Sequence, residues 1–179
     1  MNLVHFEYYK NDERKRYKMN RVFFNAEGTT LPPWTNTAGD FIKSVLENLG
    51  RKNWELSVLF CDNLYIKSLN AQYRNKDEPT DILSFPLGET VPGGRFLAGD
   101  IVISLDALEE NTRLFKVSAD EELCRLLVHG ILHLCGHDHA TNAAKEPMLR
   151  LQESILTQLS RPPKKTHGAR RSTENVYEF

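Results

Sequence analysis

Three histidines dominate the chemistry this chain could do. His129 and His133 stand four residues apart, and His139 follows six residues later, beyond Gly136. On a helix, side chains at i and i+4 lie one turn apart on the same face, so both imidazoles can reach one ion. A glycine after the second histidine lets the chain turn sharply and bring a third imidazole back. Three neutral imidazoles around Zn2+ leave one tetrahedral position open, as in a catalytic site rather than a closed structural one. The setting favours a metal over solitary histidines. Leu123, Leu127, Gly130, Ile131 and Leu134 share a helical face with Leu126 at its edge, and Val128 and Leu132 make most of the remainder apolar. Such a helix is central and buried. Buried polar groups left without partners cost about 1–3 kcal/mol each, and one ion satisfies two imidazoles at once.

The H-x-x-x-H-x-x-G-x-x-H spacing is also that of the metzincin proteases, where a glutamate after the first histidine acts as general base. Here that position is Gly130, and no carboxylate lies between His129 and Gly136. A peptidase or amidase built on this site must find its base elsewhere. A metal-bound water needs none, because zinc lowers its pKa to about 7. A third reading makes the metal purely structural, since binding it can supply on the order of 10–16 kcal/mol to folding. Around the triad, Asp138 either orients an imidazole through its second nitrogen or caps the loop. His137 is a fourth ligand, a proton shuttle or a solvated loop residue. Cys135 points away from the histidine face and reads as packing.

A second cluster spans residues 69–86, a helix end followed by a polar loop and a short strand. Within it, Arg74 offers a planar fork suited to a phosphate, or is an ordinary surface residue. Arg51, Lys52, Lys76 and Arg95 could add local positive charge near a cleft. Tyr73 and Phe96 could stack on bases.

The elements that must position these groups follow from pattern. Residues 21–25 suit an edge strand. Residues 41–49 have helical spacing with Asp40 as cap and Gly50 as stop. Residues 54–61 alternate as a strand, and Asp62 caps a helix through Tyr73. Residues 81–85 form a short strand between Pro79 and Pro86, 88–94 a loop, 101–104 a strand and 105–115 a helix. Ser118 to Glu121 is a capping box opening a helix to about Cys135, where Gly136 ends it. A last helix covers 146–159, with Pro147 suited to its first turn. Interleaved helices and strands predict an α/β (α+β) fold: a small mixed sheet of about four strands under about five helices, the metal site at the end of a central helix.

The chain has 179 residues and a formal net charge of −1, so any attraction for nucleic acid is local. No apolar run is long enough for a membrane helix. Residues 1–19 read as a flexible segment without signal-peptide features, 20–160 as one metallo-hydrolase domain, and 161–179 as a disordered basic tail. Three cysteines without paired spacing point to a reducing cytoplasm.

Taken together, N-x-x-Y-R-x-x-x-x-P-T-D-I-L-S-F-P from Asn70 to Pro86, G-D-I-V-I-S from Gly99 to Ser104, and H-G-I-L-H-L-C-G-H-D-H from His129 to His139 resemble the YbeY family of bacterial endoribonucleases, or rRNA maturation factors. The resemblance covers about residues 20–160. It implies an α/β fold, zinc on His129, His133 and His139, and a functional arginine at Arg74. It also implies cleavage of single-stranded RNA, maturation of ribosomal RNA (notably the small-subunit 16S 3′ end) and ribosome quality control. The small ribosomal subunit, and a ribosomal protein or GTPase, are the partners it suggests. The family usually has tyrosine where this chain has His137. With a metal but no cleavage, the chain would instead be a zinc-stabilised assembly factor.

Overall fold

Alternating side chains build the sheet. In a computed structural model that describes residues 19–33, 35–141 and 143–159, four strands form: β1 (Arg21–Glu27), β2 (Trp54–Cys61), β3 (Ile82–Val91) and β4 (Arg95–Ser104). Their order is β1-β2-β4-β3; β1, β2 and β4 run parallel, and β3 is an antiparallel edge. Five helices accompany them: α1 (Thr35–Asn48), α2 (Asn63–Arg74), α3 (Leu105–Phe115), α4 (Ala119–Leu134) and α5 (Pro147–Leu159). This is the mixed α/β architecture that the patterning predicts. The expected tails at 1–19 and 161–179 fall outside the described residues, Met19 apart. No described helix is long and apolar enough to cross a membrane.

The two sheet faces differ in cover. On β2, Trp54, Leu56, Val58 and Phe60 point to one side and are buried there with Ile101 and Ile103 of β4. Against them lie Ile42 and Leu46 of α1, Leu127 and Ile131 of α4, and Met148 and Ile155 of α5. On the opposite face a smaller cluster joins Ile66 of α2 to Cys61, Leu83 and Val102.

Several local signals act as expected. Asp62 accepts the Tyr65 N–H at 2.7 Å and opens α2. Pro147 occupies the first turn of α5, where its missing N–H has no helical partner to lose. Three boundaries differ. Strand β4 starts at Arg95 rather than 101, because Arg95, Phe96 and Leu97 pair with the far half of β3. Helix α1 begins at Thr35, so Asp40 lies inside it, its carboxylate 3.1 Å from Lys43 Nζ. The added turn is drawn in by packing: Ala38 is buried, and a Cβ on Gly39 would stand 3.3 Å from the Phe24 ring. The loop expected at 88–94 is largely strand, because β3 and β4 close a hairpin whose turn hydrogen-bonds Gly94 N–H to the Val91 carbonyl. Its residues are exposed on an edge, so they carry no apolar alternation to read. Pro86 sits inside β3, where the pairing register shifts between Pro86 and Glu89; an irregular edge tolerates a residue that cannot donate.

Candidate metal centre

Helix α4 positions the site, capped at its start and packed against the sheet along its length. Its first turn is held by a reciprocal capping box: Glu121 N–H donates to Ser118 Oγ at 3.2 Å, and Ser118 N–H donates to Glu121 Oε2 at 2.9 Å. Beyond that turn it is buried nearly all round, from Leu123 to Leu134. At Gly130 the helix presses directly onto the sheet. A Cβ there would lie 2.9 Å from Ile101 Cδ1 and 3.1 Å from Ile82 Cδ1. Position 130 therefore faces β-sheet side chains and has no room for the glutamate a metzincin carries.

The helix ends in a Schellman turn. Gly136, at φ +85°, donates its N–H to the His133 carbonyl at 2.9 Å, and His137 N–H donates to the Leu132 carbonyl at 3.0 Å. The left-handed conformation costs glycine little. It reverses the chain so that His139 returns toward the helix.

The three imidazoles then converge by their Nε2 atoms. His129 Nε2 lies 3.1 Å from His133 Nε2 and 3.4 Å from His139 Nε2. All three residues offer ligand atoms within 4.8 Å of one another, a cluster that can hold a metal ion. Each Nδ1 meets an oxygen on its outer side: Gln152 Oε1 at 3.0 Å for His129, the His137 carbonyl at 3.1 Å for His133, and the Thr141 carbonyl at 3.1 Å for His139. A backbone carbonyl only accepts, so His133 and His139 carry their proton on Nδ1 and direct a lone pair inward. Burial pushes the His129 and His133 pKa below the ordinary histidine value, and neighbouring histidines push the same way. Both therefore favour the neutral form that binds metal.

Charges from the second motif reach the same place. Asp81 acts on His129 to favour its proton, and Arg74 acts to oppose it. Arg74 is the last residue of α2, followed by Asn75 in the left-handed region at φ 56°. Buried Asn70 pins the loop beyond it, donating from Nδ2 to the Glu78 carbonyl at 2.8 Å. Asp81 is held in turn by Asn111, whose amide nitrogen lies 3.2 Å from Asp81 Oδ2 and 2.8 Å from Oε1 of buried Glu122.

The remaining candidates divide clearly. Asp138 is largely exposed; its carboxylate accepts the His139 N–H at 2.8 Å and stands 4.0 Å from His133 Nδ1. It stiffens the loop backbone, while the His133 Nδ1 proton goes to a carbonyl. The His137 side chain is exposed and stands outside the converging cluster; its contribution is that carbonyl. Arg51 lies over the Trp54 ring at 5.2 Å, Phe96 packs on the same ring, and buried Arg95 is 3.7 Å from Glu55, so all three serve the fold. Lys52 and Lys76 are exposed, as is Tyr73, which meets Phe85 edge-on at 5.0 Å. Sequence reasoning missed Gln152, Asn70 and Asn111. For Gln152 a signal existed: a polar residue in the stripe Met148, Gln152, Ile155, all buried.

A mixed α/β chain with a three-histidine cluster at the end of its central helix is a candidate metalloprotein. The model of one family, described as Endoribonuclease YbeY, matches residues 23–160. Relatives called Endoribonuclease YbeY include a Treponema denticola protein, 52% identical over 123 residues, covering 66% of this chain and 79% of the relative. Another from Treponema pallidum is 46% identical over 145 residues, covering 79% and 91%. One from Aquifex aeolicus is 47% identical over 117 residues, covering 65% and 77%. The solution structure of a Thermotoga maritima protein aligns with a TM-score of 0.52 at 29% identity, over 84% of this chain and 99% of that one. The chain belongs to the Endoribonuclease YbeY family.

Proposed function

We propose that the chain is a metal-dependent endoribonuclease that cuts single-stranded RNA during ribosomal RNA maturation, with zinc on His129, His133 and His139 and Arg74 facing the scissile phosphate. The observation that carries the reading is the convergence of three Nε2 atoms whose outer nitrogens all meet oxygens. In a tetrahedral zinc site with Zn–N of about 2.0–2.1 Å, ligand nitrogens stand about 3.3–3.4 Å apart. The His129 separations of 3.1 and 3.4 Å fit that spacing. Without a cation, inward lone pairs at these distances repel. Bound there, such an ion supplies Lewis-acid polarisation of a phosphoryl oxygen and acidifies water.

The protein's own groups do the rest. The anchored imidazoles hold their geometry before the substrate arrives. Arg74 makes no hydrogen bond or ion pair among the described residues, which leaves its N–H donors for a phosphate in the transition state. A peptidase reading loses support because position 130 is filled by the sheet. We place the activity in the cytoplasm, in keeping with free Cys61, Cys124 and Cys135, and on the small ribosomal subunit, delivered by a ribosomal protein or GTPase.

The test is metal content and single-stranded RNA cleavage on one preparation, beside His133→Ala. Stoichiometric zinc and cleavage, both lost in the variant, are expected. Full metal with no cleavage of free or ribosomal RNA would replace the enzyme reading with a zinc-stabilised assembly factor. Product ends then distinguish attack by water from attack by the substrate 2′-OH, which leaves cyclic phosphate termini.

A further inference from the structure

Gln152 does more than fill a helix face. Helix α5 buries Met148, Gln152 and Ile155 at i, i+4, i+7 spacing, and Gln152 is only 5% exposed. A primary amide on such a stripe must hydrogen-bond or pay for its burial. It bonds twice. Its Oε1 is 3.0 Å from His129 Nδ1, and its Nε2 donates to Glu153 Oε1 at 3.3 Å.

The second bond decides the direction of the first. An ionised carboxylate only accepts, so the amide must turn its NH2 group toward Glu153 and its oxygen toward His129. Glu153 is itself held by an ion pair with Arg125, which lies one turn before His129 on α4. Donation thus runs from His129 Nδ1 to Gln152 and from Gln152 to Glu153, whose carboxylate also accepts from Arg125. His133 and His139 need no such arrangement, because nearby loop carbonyls serve them. His129 lies in the interior of α4, where main-chain carbonyls are taken by the helix. Its acceptor has to come from another element.

We propose that Gln152, oriented by Glu153, is a positioning residue that fixes the Nδ1–H tautomer of His129 and so presents its Nε2 lone pair to the metal. This deepens the metal reading above and rests on it. The tautomer claim, however, concerns the metal-free protein and can be read without any metal.

Long-range 1H–15N correlation on metal-free protein reports which imidazole nitrogen carries the proton, and chelator competition reports zinc affinity. Wild-type protein should show Nδ1–H at His129. Gln152→Leu, of similar volume but without an acceptor, should lose that signature and bind zinc about 10–100-fold more weakly. Gln152→Glu keeps an acceptor oxygen and should retain the tautomer, with affinity within threefold of wild type. If Gln152→Leu gives no cooperative melt, Glu153→Ala carries the test; it removes the acceptor for the Gln152 amide from an exposed position, and His129 should become a mixture of tautomers. A pure Nδ1–H signature and affinity within threefold of wild type in Gln152→Leu would overturn the proposal, as would an unchanged signature in Glu153→Ala where that variant stands in. Wild-type protein that shows the tautomer yet takes up no zinc would overturn the metal reading and Gln152's part in it, a failure separable from a wrong tautomer.

Discussion

The two walls of the site are built on opposite terms. On the α4 wall each imidazole is held twice, by its helix or loop and by an oxygen on Nδ1. On the α2 wall Arg74 stands at a helix end, exposed, with no hydrogen bond or ion pair among the described residues. On the function proposed above, the difference follows from what each wall would meet. A metal ion tolerates little error in ligand position, so its donors are set beforehand at the expense of local freedom. A phosphate arrives with its own charge, and an unpaired guanidinium loses no existing bond in meeting it.

That contrast predicts which property each wall controls. Arg74→Ala should lower single-stranded RNA cleavage by about 10²–10³-fold, the usual cost of removing a donor to transition-state charge. Zinc content and melting temperature should stay at wild-type values. Elemental analysis and a thermal melt on the same sample check this, and zinc loss in the variant would mean that the two walls are not separable.

Gly136→Ala probes the α4 wall without touching a ligand. Nothing lies within 4 Å of a Cβ at this position, so the cost is backbone alone. Holding alanine at φ +85° should cost about 1–2 kcal/mol. Because the turn brings His139 back, zinc affinity should fall along with stability. Denaturant melts paired with chelator competition measure the two. A stability loss with unchanged zinc affinity would show that His139 finds its place without the turn.

The contrast also explains what could be read from sequence. The histidine triad was legible because its ligands are local: two share one helix face, and the third follows a glycine whose need for a left-handed turn is visible. The capping box and Asp62 were legible for the same reason, since donor and acceptor lie within three residues. For Gln152 only its place on a buried stripe was legible; its partner was not, because His129 is 23 residues away and only tertiary packing joins them. The far half of β3 was hidden because its exposed edge residues carry no alternating pattern. Asp40 misled because a good cap residue precedes an apolar run, while Ala38 and Gly39 packing extends the helix past it. Tertiary contacts override local signals at these points.

Titration offers a finer view of the anchored wall. Burial holds the metal-free His129 and His133 below the ordinary value of 6.5. As pH falls through 6.5 the unfolded chain takes up protons that the folded chain still refuses, so the contribution of these groups to stability declines. It is complete above that pH and stops declining once the folded groups themselves protonate. Ring-proton shifts followed from pH 8 to pH 4 should show both histidines titrating below 6.5. A midpoint at or above 6.5 for either would contradict the burial argument.

The smallest effect is expected at Asp138, and it separates two roles that its position leaves adjacent. Its carboxylate accepts the His139 N–H at 2.8 Å but reaches His133 Nδ1 only to 4.0 Å, on a side chain that is 88% exposed. A charge in that setting is well screened by solvent. The loop bond needs an acceptor oxygen and no charge, and asparagine supplies one. Asp138→Asn should therefore leave zinc affinity within threefold of wild type, whereas Asp138→Ala removes the loop bond and should weaken it further. If asparagine alone cost tenfold in a chelator competition, the carboxylate would be orienting His133 through its charge. The anchored wall would then rely on a surface ion pair as well as on fixed carbonyls.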